Sequence, residues 1–159
     1  MILTNFYLNF PGQAEEALRF YQSVLGGEFP VIMRMKDMPG MPGAENLTPA
    51  DKNKIMHMAL QLPNGAMIMA SDAMETMGYT VTMGNHFSLS VSTSSKEEAD
   101  VIYAGLSDGG SALSGMKVEM WGAYFGTFAD KYGVQWMVSY DANPGQGELF
   151  EKLESSRQN

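Results

Sequence analysis

The 159-residue chain is predicted to be an α+β protein, two βαβββ units paired around a shared cavity. Three observations predict it. Residues 5–27 (NFYLNFPGQAEEALRFYQSVLGG) and 86–110 (HFSLSVSTSSKEEADVIYAGLSDGG) both open on an alternating, strand-like run. Both continue into Glu-Glu-Ala (Glu15, Glu16, Ala17; Glu97, Glu98, Ala99), carry a tyrosine four residues past the alanine (Tyr21, Tyr103), and close on Gly-Gly (Gly26, Gly27; Gly109, Gly110). A second echo ends each half, PNGAMIMASD (63–72) against KYGVQWMVSYD (131–141). A supersecondary unit that cannot bury its own apolar face pairs with a copy of itself.

Each element has a local reason. Residues 2–10 alternate and read as a strand, broken by Pro11-Gly12. Over 13–25 the apolar positions Ala14, Ala17, Leu18, Tyr21 and Leu25 form one helical stripe. Glu15 and Glu16 suit the positive end of its dipole, and Gly26-Gly27 stops it. A strand over 28–36 follows. Residues 37–52 hold three prolines, two glycines and no period, so they read as a loop with one helical turn after Thr48-Pro49. A loop of that length inside a compact domain is expected to act as a lid. Strands 54–62 and 66–71 flank the turn Pro63-Asn64-Gly65.

Residues 72–84 join the halves. The second copy then runs as strand 86–92, helix 95–107, and strands 112–120, 122–128 and 134–140. Ser94 or Ser95 caps its helix, with Glu97 or Glu98 about three residues on. Asp72 and Asp130 are expected to bond to backbone at turns. Residues 1–145 are read as one domain of two units, 1–72 and 84–141. Residues 146–159 are a polar tail with a short helix over 147–154.

Composition bounds the function. Ten basic and 18 acidic residues give a net charge of −8. No basic stripe offers itself to a nucleic-acid backbone, and an anionic membrane repels the chain. No apolar run approaches the roughly 20 residues of a spanning helix. The first residues, MILTNFYLNF, read as strand rather than signal peptide. A cytoplasmic protein is expected, and Asn46-Leu47-Thr48 is a chance glycosylation match. The absence of cysteine excludes disulfides, thiolate catalysis and cysteine metal sites. Methionine is the unusual entry, at 15 residues. Its flexible thioethers suit a cavity that adapts to its contents, although ordinary core filling explains them too.

The segments EEALRFYQSVLGG, IMHMAL…AMIMASDA and WGAYFGTFADKYGVQWM (121–137), with the motif G-x-x-x-D-x-x-G-x-x-W (Gly126, Asp130, Gly133, Trp136), resemble the PhnB-like branch of the vicinal oxygen chelate superfamily. That superfamily includes glyoxalase I, bleomycin-resistance proteins and extradiol dioxygenases. The resemblance spans about residues 2–141. It implies the glyoxalase/bleomycin-resistance fold and a homodimer. Similar sequences carry a ubiquinone methyltransferase label. No strand here leads into a glycine-rich cofactor loop and helix, so that label is set aside on the residues.

The resemblance also implies four metal-ligand positions, on the first and last strand of each unit, usually His or Gln, Glu, His and Glu. They fall here on Asn5, Met69, His86 and Met137, and only His86 matches. Thioethers favour soft ions and a neutral amide binds weakly, so a divalent metal cofactor is disfavoured.

The candidate site residues follow. His57 and His86 are the candidate catalytic residues, as general base or hydrogen-bond donor, with a structural role as the plain alternative. Asn5, Met69, Trp121, Trp136, Met137 and Glu119 are candidates for ligand binding. Trp121, Tyr124, Phe125 and Trp136 would form a stacking wall, or pack in the core. Glu119 would stand near the pocket mouth. Symmetry of the two copies sets Asn5, His57, Met69, His86, Trp121 and Met137 around one cavity, with the Met-rich segment 33–41 over its mouth. Two function classes stay open. One is a non-catalytic binder of a small, mostly apolar or aromatic molecule. The other is an enzyme using a metal, or His57 or His86 without one. An interaction module is a third.

Overall fold

A computed structural model describes residues 2, 4–38, 40 and 43–142. The chain divides into two compact units, Met1–Gly84 and Asn85–Asn159. The expected tail helix over 147–154 lies outside the described residues, as does Met41.

Unit 1 runs β1 (Phe6–Phe10), α1 (Ala14–Leu25), β2 (Glu28–Arg34), α2 (Pro49–Asn53), β3 (Ile55–Gln61) and β4 (Met67–Asp72). Its four strands form one sheet in the order β1-β4-β3-β2. The β1–β4 pair is parallel, and the other two pairs are antiparallel. Unit 2 repeats the plan with β5 (Leu89–Thr93), α3 (Lys96–Ser107), β6 (Ser111–Val118), β7 (Tyr124–Ala129) and β8 (Gln135–Tyr140), ordered β5-β8-β7-β6. Again the first and last strands pair in parallel.

In each unit the helix covers one face of the sheet. α1 buries Ala14, Ala17, Leu18 and Tyr21 against β1, β3 and β4. Strand β4 alternates half-buried and buried, with Ile68, Ala70 and Asp72 on the helix side and Met67, Met69 and Ser71 on the other. β8 repeats this, with Trp136 and Val138 buried beneath α3 and Gln135, Met137 and Ser139 opposite. That period of two follows from the pleat.

The duplicated Gly-Gly has the same cause in both units. Gly26 and Gly109 have positive φ, 73° and 72°, a conformation glycine adopts without strain. The second glycine of each pair lies hard against a strand backbone. A Cβ on Gly27 would strike the Gln61 carbonyl, and one on Gly110 the Ala129 carbonyl.

Three expectations need correction. β1 and β5 begin at Phe6 and Leu89 rather than at residues 2 and 86. The register pairing Leu89 with Trp136 would set His86 beside Gly133, in the turn closed by Asp130 N–H on Val134 O. No strand exists there to pair with. The segment after β2, expected as a lid, is packed against its own unit. Met35 is buried with Leu47 and Met74, with Ala44 and Met56 against them. Thr48 and Asp51 cap α2 reciprocally, and Lys54 pairs with Asp51 at 3.0 Å.

Candidate functional site

The sheet face of unit 1 turned away from α1 is chemically distinctive. The register places Tyr7 beside Met69, Met69 beside Ala59, and Met33 beside His57. Asn9 and Ser71 continue the same face, the Ser71 hydroxyl donating to Asn9 Oδ1 at 3.2 Å. Aromatic, thioether, hydroxyl, amide and imidazole groups meet here without a carboxylate, lysine or arginine among those named.

Tyr7 and His57 touch. The Tyr7 hydroxyl lies 3.1 Å from His57 Nδ1, and the ring planes are 20° apart. β4 lies between β1 and β3, so the phenol reaches across a whole strand to make this bond. Tyr7 is 46% exposed and His57 half-buried. Sequence reading singled out His57 but missed Tyr7. The alternation of β1 carried the signal, since Tyr7 shares the parity of Asn5 and Asn9 against Phe6, Leu8 and Phe10.

The other predicted residues divide. Met69 and Met137 occupy equivalent half-buried places, each on the last strand of its unit and paired with the first, Met69 with Tyr7 and Met137 with Ser90. Asn5 and His86 are exposed and precede their strands. The donor set of the four matched positions is thus two thioethers on strands and an amide and an imidazole on exposed connections. It does not fit a hard divalent ion. Among the described residues, no three His, Asp or Glu side chains gather in a cluster suited to a metal.

The aromatic wall needs correction. Trp136 is 2% exposed, and its indole N–H donates to Asp130 Oδ2 at 2.8 Å. Asp130 also accepts the N–H groups of Tyr132 and Val134. Trp136 therefore belongs to the core under α3, because neighbouring residues of a strand face opposite ways and Met137 takes the other side. Tyr124 donates its hydroxyl to Asp100 of α3 at 2.7 Å, which raises its pKa. Trp121 and Phe125 remain together, edge to face with centroids 5.8 Å apart, and Trp121 is 57% exposed. Glu119 is half-buried, 3.4 Å from Lys117. A separate cleft of about 400 Å³ lies at the Gln61 end of β3, lined by Gly27, Glu28, Gln61, Leu62, Pro63 and Gly65. None of the candidate residues reaches it.

Two sheets of this topology, each βαβββ with parallel first and last strands, define the glyoxalase/bleomycin-resistance fold. A solved glyoxylase/bleomycin-resistance/dioxygenase domain from Frankia sp. EAN1pec shares it at 14% identity and a TM-score of 0.62, over 92% of this chain and 96% of that one. Within that fold the chain belongs to the PhnB-like family whose model is described as 3-demethylubiquinone-9 3-methyltransferase and matches residues 3–139. It is 30% identical to Protein YjdN of Escherichia coli (strain K12), over 84% of this chain and 91% of that one. Among solved structures, protein PA1353 of Pseudomonas aeruginosa is similar at 33% identity and a TM-score of 0.76, covering 89% of this chain and 98% of its own. A PhnB protein from Bacillus cereus follows at 28% identity and 0.71, covering 87% and 99%. Among the described residues, no helix is long and apolar enough to cross a membrane.

Proposed function

We propose that this PhnB-like protein binds a small, mostly apolar or aromatic molecule and does so without catalysis. The observation that carries the reading is the helix-distal face of unit 1, where Tyr7, Met33, His57 and Met69 stand together beside Ala59. An apolar face with a few placed polar groups suits a flat, uncharged ligand. Thioethers let it adapt to different shapes. Met137, Trp121 and Phe125 supply the corresponding surface of unit 2. The direct test is titration with small aromatic compounds followed by tryptophan emission and calorimetry. Saturable binding without turnover is expected, and a chemically altered ligand recovered after incubation would overturn the non-catalytic part.

The family's description gives a second reading, methyl transfer to a demethylated quinone. A quinone ring is itself flat and apolar, so this face would accept it. The link from β1 to α1 is only Pro11-Gly12-Gln13, short of the glycines that a nucleotide-cradling turn uses. Incubation with a demethylated quinol and a sulfonium methyl donor should leave the quinol unmethylated.

Cytoplasmic residence and dimerisation through exposed edge strands complete the proposal. Light scattering should give about twice 17.4 kDa.

A further inference from the structure

We propose that Tyr7 is a positioning residue that holds His57 as the Nε2–H tautomer, so that the imidazole gives this face of unit 1 a directed N–H donor and a preference for ligands bearing a neutral acceptor such as a carbonyl. The inference deepens the binding function proposed above and rests on it for the ligand, but not for the tautomer.

The argument starts from the 3.1 Å contact between the Tyr7 hydroxyl and His57 Nδ1. A phenol is a better hydrogen-bond acid than a neutral imidazole N–H, and a neutral imidazole has one donor and one acceptor nitrogen. With the phenol donating, Nδ1 is the acceptor and the ring proton resides on Nε2. Among the described residues, no hydrogen-bond partner to Nε2 is present. The ring is also held in angle, since the Tyr7 plane lies 20° from it. A fixed N–H among thioethers and small neutral groups is a strong selector. An acceptor placed on it gains a hydrogen bond, whereas a hydrocarbon of the same shape buries the N–H unpaired.

Long-range ¹H–¹⁵N correlation on ¹⁵N-histidine-labelled protein at about pH 8, where an ordinary imidazole is neutral, reads the tautomer without any ligand. The expected result is a bare-nitrogen shift at His57 Nδ1 and a protonated one at Nε2. In Tyr7→Phe the two shifts should move toward each other as the tautomers mix. An Nδ1–H tautomer, or shifts unchanged by Tyr7→Phe, overturns the inference. If Tyr7→Phe does not fold, the wild-type spectrum still decides, because mixed tautomers there overturn it.

Ligand preference is read with two probes of one shape, acetophenone and α-methylstyrene. Acetophenone should bind about three- to tenfold tighter, the worth of one hydrogen bond. That ratio should fall to about one in His57→Phe, and by no more than about twofold in Tyr7→Phe, where a mixture of tautomers still leaves part of the population with the proton on Nε2. Equal affinities in the wild type overturn the preference. Binding of neither probe overturns the binding function itself, while the tautomer result stands separately.

Discussion

The carboxylate of Asp72, the last residue of β4, accepts the backbone N–H of Ala14 at 2.9 Å, across 58 residues of sequence. Its other oxygen accepts the N–H of Ile55 at 2.8 Å. Gln13 provides no side-chain cap for α1, so Asp72 caps the helix from the sheet and ties three elements together. Asp72→Ala leaves two N–H groups unsatisfied in a buried place. A loss of about 2–4 kcal/mol is expected, read as a lower urea midpoint. Asp72→Asn should lose less, because one amide oxygen can still accept. A midpoint unchanged in Asp72→Ala would contradict the cap.

The paired glycines give a second prediction. Gly27→Ala and Gly110→Ala each force a Cβ against a strand carbonyl and should destabilise by about 2–4 kcal/mol. Gly115→Ala is the control. A Cβ there meets nothing within 4 Å, so its midpoint should stay within about 0.5 kcal/mol of the wild type. Equal effects at Gly110 and Gly115 would show that close approach is not the reason for the second glycine.

The two tryptophans should report separately. Trp136 is buried on Asp130, while Trp121 is 57% exposed. Trp121→Phe should leave a blue-shifted emission that acrylamide quenches poorly. An aromatic ligand on the unit 2 face should quench the wild type but not Trp121→Phe. Equal quenching in both proteins would place the ligand elsewhere.

Acid should weaken the start of α3. Glu98 Oε2 accepts the backbone N–H of Ser94 at 2.8 Å and its hydroxyl at 2.7 Å. The backbone bond foremost, then the hydroxyl, holds its carboxyl below the usual range. A folded pKa below the unfolded one gives a contribution present above the unfolded value and lost as pH falls through the folded value. Thermal melts of wild type and Glu98→Gln should therefore differ by a constant amount near neutrality and converge below about pH 4. A gap that widens in acid has the wrong sign.

Much of this fold is legible in the residues because local signals agree with it. Pro63-Asn64-Gly65 between alternating runs gives the β3–β4 turn, and Thr48-Pro49 gives the start of α2. Ser95 caps α3, accepting the N–H of Glu98. Strand starts were legible only approximately, because a strand begins where its partner does, and Asn5 and His86 stand before that point. The burial of Met35 was hidden, since it stands at the end of the expected strand 28–36 and its partners Leu47 and Met74 lie in segments without a period. Trp136 was misread by counting aromatics rather than following parity along β8. Tyr7 is the opposite case: its face could be read from alternation, but its bond to His57 crosses a strand that sequence does not place.

Methyl spectra of methionine-labelled protein test the binding face most directly. On titration with acetophenone, the methyls of Met33 and Met69 should shift in a saturable way. Met58, buried on the helix side, and Met74, buried in the small second core, should not. Saturable binding of acetophenone by calorimetry with the Met33 and Met69 methyls unmoved would contradict a binding face on the helix-distal side of the sheet.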